Sequence, residues 1–125
     1  MDIILSNANE DPIYAQIAKQ IRSQIVSGIL REGMMLPSIR VLAKELRISV
    51  ITTKRAYDEL EKEGYIQIIA GKGSYVAARN HEQIKEEYLQ KIEEHMRSIM
   101  LLSDFLGITE EELAMMYELL KRGEA

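Results

Sequence analysis

The feature that most constrains the fold is a pair of amphipathic helical segments joined by a very short connection. Ser38 is a favourable N-cap residue, and apolar residues recur on one face of the short segment after it. A second helix is predicted to begin after Ser49 and to end at Gly64, because glycine is typical of the position after a helix. The residues Arg47 to Ser49 leave room only for a tight turn. The pattern therefore predicts a helix-turn-helix.

Two segments with the composition of β-strands follow the second helix. Tyr65 to Ile69 is rich in β-branched and aromatic residues, and Ser74 to Ala78 resembles it more weakly. The residues 70–73 between them read Ala-Gly-Lys-Gly, so a β-hairpin is predicted. A hairpin in this position is the layout of a winged helix. Lys72 lies between Gly71 and Gly73, where backbone amides and one cation can approach a phosphate closely.

Another helix is predicted before the helix-turn-helix. Asp11 and Pro12 form an N-cap and first-residue pair, and apolar residues then recur at helical spacing up to Gly28. The first 79 residues are thus predicted to form a winged helix-turn-helix domain. The fold class is α+β and mostly α.

Residues 80–125 are predicted to form a tail of two helices. Apolar residues at helical spacing from His81 onward predict a helix of about six turns. Thr109 and Glu112 form a capping box that opens a last helix, which ends near Gly123. Two helices cannot close a core alone, so their apolar faces need the first domain or, as we favour, a second copy of the chain. The predicted dimerisation residues are Ile84, Tyr88, Ile92, Met96, Ile99, Leu102, Leu113, Met116 and Leu120.

The net charge of −4 is unevenly distributed along the chain. Residues 1–79 hold 11 Lys and Arg against 9 Asp and Glu, whereas residues 80–125 hold 5 against 11. Within the first part, Ser38 to Tyr57 carries five cations against the single Glu45, a local charge of +4. An acidic whole chain argues against a nucleic-acid partner, but this segment is basic.

Several functional classes are disfavoured by what the sequence lacks. Without cysteine, the chain has no disulfides, thiolate catalysis or thiolate metal site. His81 and His95 are fourteen residues apart and lack a cysteine partner, so no metal site is expected. No catalytic set is apparent either, so we expect neither a cofactor nor an enzyme. No apolar run is long enough for a membrane span, and we expect a cytoplasmic protein without a membrane partner.

The beginning of the second helix of the helix-turn-helix has the residue types that DNA reading requires. A helix in the major groove needs short polar and basic side chains in its first turns, with cations nearby for the phosphates. Ser49, Thr52 and Lys54 meet the first requirement. Arg40 and Lys44, on the preceding helix, meet the second. The alternative is that these cations only solvate a helix face.

Three blocks of the sequence resemble the DNA-binding domain of GntR-family bacterial transcription regulators. They are residues 36–43 (Leu-Pro-Ser-Ile-Arg-Val-Leu-Ala), 55–66 (Arg-Ala-Tyr-Asp-Glu-Leu-Glu-Lys-Glu-Gly-Tyr-Ile) and 71–76 (Gly-Lys-Gly-Ser-Tyr-Val). The short tail resembles that of the YtrA subfamily, whose tails dimerise the protein and whose members often control transporter genes. The resemblance places DNA contacts at Arg40, Ser49, Thr52 and Lys54, with wing glycines at Gly71 and Gly73.

The predicted recognition helix departs from the family pattern at Val50 and matches it at Arg55. Many family members have an arginine where this chain has Val50, so a base contact can be missing here, and the neighbouring Ile51 offers only apolar contact, for example to a thymine methyl. Arg55 matches the family pattern. It either binds phosphate or pairs with Asp58 or Glu59, and the sequence does not decide between these two roles.

The resemblance implies a homodimeric repressor that binds a palindromic double-stranded operator. The alternative is a winged-helix interaction module that docks a partner protein through its acidic tail. A small-molecule effector is possible but not indicated, because apolar residues of the kind found in the tail more often fill a core or a dimer contact. The residues considered for such a pocket are Met96, Met100, Met115, Met116, Tyr88 and Tyr117.

Overall fold

A computed structural model describes residues 1–78 and 81–123. The elements in chain order are α1 (Ile13–Val26), α2 (Ile39–Leu46), α3 (Val50–Lys62), β1 (Ile66–Ile69), β2 (Gly73–Val76), α4 (His81–Leu106) and α5 (Glu110–Lys121). The chain divides into two compact units, Met1–Glu82 and Gln83–Ala125. The predicted domain boundary at Arg79 and Asn80 lies outside the described residues. The predicted fold class, a winged helix-turn-helix with a mostly helical remainder, is confirmed.

The first helix begins one residue later than the sequence predicts. Pro12 is the N-cap, with an extended ψ of 153°, and its carbonyl oxygen accepts hydrogen bonds from the amides of Ala15 and Gln16. The prediction that Asp11 is the N-cap is wrong. Helical backbone angles begin only at Ile13, so the Asp11 side chain lies too early to cap the first turn, and the Asp11 carbonyl instead accepts a bond from the Gln16 side chain.

A row of glutamines on α1 binds the backbone of the segment before it. The Gln20 amide accepts a bond from the Ile4 N–H at 2.8 Å and donates one to the Ile4 carbonyl at 2.7 Å. The Gln16 side chain likewise accepts a bond from the Ser6 N–H and donates one to the Ser6 carbonyl, and the Gln24 side chain donates to the Asp2 carbonyl. Residues four apart share one face of a helix, and alternate residues share one side of an extended segment. The four-residue spacing of the glutamines on α1 therefore matches the two-residue spacing of their partners, Ser6, Ile4 and Asp2. The sequence analysis did not predict this contact.

The helix-turn-helix has the caps that the sequence predicts. The Ser38 hydroxyl accepts a hydrogen bond from the Val41 amide at 3.1 Å, and the Ser49 hydroxyl accepts one from the Thr52 amide at 3.0 Å. Between the helices, Arg47 has a left-handed backbone with φ of 57°. Gly64 follows α3 with φ of 84°, as expected for the residue after a helix C-terminus. Both ends of the predicted recognition helix are confirmed.

The core of the first unit forms where α1 and α2 pack against one face of α3. Tyr57 is fully buried at the centre of this face, and its hydroxyl donates a 2.7 Å hydrogen bond to the Pro37 carbonyl. This bond ties α3 to the residue that precedes the Ser38 cap. The other buried apolar residues on the three helices are Ile17, Ala18, Ile21, Ile25, Leu42, Ala43, Ala56 and Leu60.

The wing is an antiparallel hairpin to which a third segment is bonded. Ile66 pairs with Val76 and Ile69 with Gly73, so Gly73 belongs to β2 and not to the predicted turn. Residues 33–36 run along the other edge of β2, through 2.9 Å bonds between the Gly33 amide and the Val76 carbonyl and between the Val76 amide and the Met34 carbonyl. The sequence pattern did not show this third segment.

The second unit contains α4, apart from its first two residues, and α5. At 26 residues, α4 has about seven turns, one more than predicted. The Thr109 hydroxyl caps α5 by accepting a 3.2 Å bond from the Glu112 amide, as predicted. The reciprocal half of the capping box differs, because the Glu112 carboxylate accepts from the Thr109 hydroxyl and not from its backbone. Gly123 follows the helix with φ of 74°.

Replacing Tyr57 with Phe is expected to destabilise the first unit by about 1 kcal/mol, the net value of the lost hydrogen bond.

Burial raises the pKa of the Tyr57 phenol, and the negative charge of Glu45 raises this pKa further. The unfolded chain therefore releases this proton at lower pH, so stability is retained below the ordinary tyrosine pKa of about 10 and falls above it. Denaturant unfolding from pH 8 to pH 11 should show this alkaline loss in the wild type and a smaller loss in Y57F. Equal losses in the two proteins would contradict the burial of an un-ionised phenol.

Candidate nucleic-acid interface

The exposed face of α3 is the centre of the candidate interface. The opposite face is fixed in the core, so the helix presents its remaining side chains outward. Ile51 is 81% exposed and Val50 is 47% exposed, both in the first turn of the helix. Exposure of this degree is unusual for two neighbouring β-branched apolar residues, and core packing does not explain it. They are suited to contact with apolar groups in a groove.

The predicted hydroxyl contacts lie at the same end of α3. Ser49 is exposed and Thr52 is half-buried, and the Ser49 hydroxyl donates a 2.8 Å hydrogen bond to the Thr52 hydroxyl. The two residues therefore also build the N-cap of the helix. A hydroxyl oxygen has two acceptor positions and one donor, so these side chains keep hydrogen-bonding capacity beyond the cap.

Exposed cations lie on both helices of the helix-turn-helix. Arg40 and Lys44 are exposed and one turn apart on α2, and neither takes part in an ion pair within the described part of the chain. Lys54 is also exposed, but its ammonium lies 2.7 Å from the carboxylate of Asp58 one turn along α3. This carboxylate partly neutralises the charge that Lys54 offers to a phosphate, although the ammonium has further N–H donors.

Arg55 has a different partner from those the sequence suggested. Its guanidinium carbon lies 3.7 Å from the centre of the Tyr14 ring on α1, which is a stacking distance. Within residues 1–78 and 81–123, no carboxylate is within ion-pair distance of this guanidinium. The alternative in which Asp58 or Glu59 neutralises Arg55 is therefore not what the structure shows. Sequence reasoning missed Tyr14, because the contact joins residues that are distant along the chain.

The wing carries the third group of predicted contacts. Lys72 is exposed at the tip of the hairpin, and its carbonyl accepts a 3.1 Å bond from the Tyr75 hydroxyl. Gly71 and Gly73 have positive φ angles of 76° and 123°. A side chain at Gly73 would also collide with Met35, whose terminal carbon would lie 2.9 Å from the added Cβ. The backbone conformation therefore favours glycine at this position, whereas the end of the exposed Met35 side chain could move aside.

The predicted dimerisation residues of the tail differ in exposure. Ile84 is buried, and Tyr88 and Leu113 are half-buried. The other six predicted residues are exposed, namely Ile92, Met96, Ile99, Leu102, Met116 and Leu120. Further apolar side chains that the sequence analysis did not select are also exposed, including Leu89, Leu101, Phe105, Leu106 and Leu119.

The described residues contain no metal-binding cluster and no membrane-spanning helix, but the first unit has an open apolar groove. Within residues 1–78 and 81–123, no group of three or more histidines and carboxylates is arranged to hold a metal ion. An open apolar groove of about 500 Å³ in the first unit is lined by Met1, Leu30, Met34, Met35, Leu36, Pro37, Ser38 and Val41. Among the described residues, no helix is long and apolar enough to cross a membrane.

Comparison with known proteins identifies the family. The model described as "Bacterial regulatory proteins, gntR family" matches residues 13–76, from the start of α1 to the end of the wing. The chain belongs to the GntR family. The HTH-type transcriptional repressor YtrA of Bacillus subtilis (strain 168) is 32% identical over 102 residues, which cover 82% of this chain and 78% of the relative. The predicted resemblance is confirmed.

Two solved structures superimpose on this chain. A GntR family transcriptional regulator from Listeria monocytogenes superimposes with a TM-score of 0.66 and 30% identity, covering 88% of this chain and 96% of that one. AraR(DBD) in complex with operator ORE1 superimposes with a TM-score of 0.53 and 26% identity, covering 62% of this chain and 94% of that one. The second of these structures is a complex with operator DNA.

Replacing Asp58 with Asn should increase affinity for duplex DNA about threefold, because Lys54 loses its partner and a negative charge leaves the interface. Stability should fall by no more than about 0.5 kcal/mol, the value of an exposed pair one turn apart. Fluorescence anisotropy with labelled DNA measures the affinity. Glu93→Gln, which breaks the equivalent Arg97 pair on α4, is the matched control and should leave affinity unchanged. Weaker binding by D58N would contradict a phosphate role for Lys54.

Proposed function

We propose that the chain is a sequence-specific DNA-binding transcription regulator that acts as a repressor. The observation that carries this proposal is the exposed first turn of α3, where apolar and hydroxyl side chains are flanked by cations of α2 and α3. A groove-reading helix needs this combination of base-edge and phosphate contacts. Family membership supports the proposal, as do the repressor among the relatives and the operator complex among the similar structures.

In the proposed complex, α3 lies in the major groove with its N-terminal turns toward the base edges. Ser49 and Thr52 offer hydrogen bonds, and Val50 and Ile51 offer methyl groups to thymine methyls. Arg40 and Lys44 neutralise phosphates that border the groove. The wing places Lys72 on the neighbouring backbone or minor groove. The regulator acts in the cytoplasm, where bacterial DNA is found.

We further propose that the tail forms a homodimer. Exposed apolar side chains on α4 and α5 need to be covered, and a second copy covers the same face on both chains by isologous packing. Two recognition helices related by a twofold axis require a palindromic operator with half-sites about 10 base pairs apart. If each half supplies about four cations to phosphates, the logarithm of affinity falls against the logarithm of salt concentration with a slope on the order of −7.

Replacing Arg40 with Ala is expected to weaken operator binding at least tenfold, about 1.4 kcal/mol or more, because the proposed phosphate contact is lost. Thermal stability should not fall, because the side chain is exposed. A mobility-shift titration against duplexes selected from random genomic fragments measures the affinity. Arg97→Ala removes the same charge from α4 and should bind normally. Unchanged binding by R40A would remove Arg40 from the interface. Complete absence of a specific wild-type band at low salt would refute the regulator and favour a protein-docking module.

Replacing Ile99 with Glu should convert the dimer into monomers, because a carboxylate would have to be buried without a partner in the apolar face. Light scattering measures the mass, and circular dichroism checks that helix content is retained. Gln90→Glu introduces the same charge on the opposite side of α4, nine residues and so two and a half turns from Ile99, and should remain dimeric. A dimer that survives in I99E would place the interface elsewhere.

A further inference from the structure

The stacked pair formed by Tyr14 and Arg55 joins the beginning of α1 to the exposed side of α3. The 3.7 Å distance between the guanidinium carbon and the ring centre means that the two planes are in van der Waals contact. A second arginine of the same unit, Arg22, lies 5.6 Å from the ring centre of Tyr65 and is bound to Glu63 at 2.7 Å. Arg55 therefore differs from Arg22 in being held by an aromatic face and not by a carboxylate.

Stacking orients a guanidinium without using its hydrogen-bond donors. All five N–H groups of arginine lie in the guanidinium plane, so a ring that covers one face leaves the donor edges available. A carboxylate partner would have occupied those edges and neutralised the charge. Because no carboxylate is within ion-pair distance of Arg55 among the described residues, its donors are available for an external oxyanion. Orienting the side chain in advance also reduces the entropy that binding must remove.

Arg55 lies on the same face of α3 as the proposed DNA contacts. Arg55 is exposed and follows Ile51 by four residues, so the two side chains share one face of the helix. When the first turn of α3 is in the groove, a side chain one turn further along lies closer to the rim, where the phosphates are. Tyr14 is half-buried on α1, and α1 packs along α3 throughout the core. The ring is therefore anchored by the core of the domain.

We propose that Tyr14 is a positioning residue for DNA binding. Its ring fixes the plane of the Arg55 guanidinium, so that two N–H groups at the edge of this guanidinium donate hydrogen bonds to one phosphate. This inference rests on the proposed function, since it assigns one of the phosphate contacts within that interface. Tyr14 itself does not touch the DNA. The competing role for the pair is purely structural, with Arg55 serving only to join α1 to α3.

A double-mutant cycle on the full chain separates these roles. The probe is the duplex selected by the wild-type chain, and affinities are measured over a series of salt concentrations. Arg55→Ala should weaken binding about tenfold. It should also reduce the magnitude of the slope of the logarithm of affinity against the logarithm of salt concentration by about one for each bound chain. Tyr14→Leu should weaken binding about three- to fivefold, whereas Tyr14→Phe, which keeps the ring, should bind like the wild type. The double variant Y14L/R55A should bind no more weakly than R55A, because Tyr14 acts only through Arg55.

Thermal unfolding of each variant shows whether the first unit is folded, and affinities are compared at a temperature at which all of them are folded. Three results would overturn the proposal: wild-type affinity in Y14L, additive losses in Y14L/R55A, or an unchanged salt dependence in R55A. Failure of the wild-type chain to bind any selected duplex would instead refute the proposed function. The two failures are therefore distinguishable.

Discussion

The packing of one face of α3 against α1 and α2 determines the direction of the candidate DNA contacts on α3. Ala56, Tyr57 and Leu60 have no exposed surface, and the Tyr57 hydroxyl is bound to the Pro37 carbonyl just before α2. Because this face of α3 is fixed in the core, Val50, Ile51 and the cations Lys54 and Arg55 are exposed on the other face. The same packing brings α1 to the side of α3, where Tyr14 meets Arg55. The core and the proposed interface are thus two faces of one helix.

The parts of the fold that depend on neighbouring residues could be predicted from the sequence. Ser38, Ser49 and Thr109 are caps because a hydroxyl three residues before an amide is sufficient for the bond, and Gly64 ends α3 because glycine tolerates a positive φ. The helical spacing of apolar residues predicted the helices, and two segments with β-branched and aromatic residues predicted the strands of the hairpin.

The features that the sequence did not reveal depend on contacts between distant segments. The glutamine side chains of α1 bind the backbone of residues 2–6, and residues 33–36 bond to the edge of β2, without any local pattern that marks either contact. Arg55 shows the same difficulty at the interface. Two carboxylates follow it within four residues, yet its partner is Tyr14, which only the packing of α1 on α3 brings near. Local charge spacing alone could not have selected this partner.

The net charge of −4 combines two regions with different charges and different proposed roles. The basic segment between Ser38 and Tyr57 contains the proposed groove and phosphate contacts of α2 and α3, whereas the acidic residues 80–125 contain the proposed dimer interface. An acidic tail weakens indiscriminate attraction to DNA, so specific contacts gain importance relative to long-range electrostatics.

The central claim, that the first turn of α3 reads base edges in the major groove, is tested most directly by selecting bound duplexes from a random pool. The selection is made in parallel with the wild type and with Val50→Arg, which places a guanine-binding side chain on that turn. We predict an inverted-repeat consensus for both proteins, with the base preference altered at one equivalent position in each half-site. The same consensus for both proteins, or no enriched sequence at all, would contradict the claim.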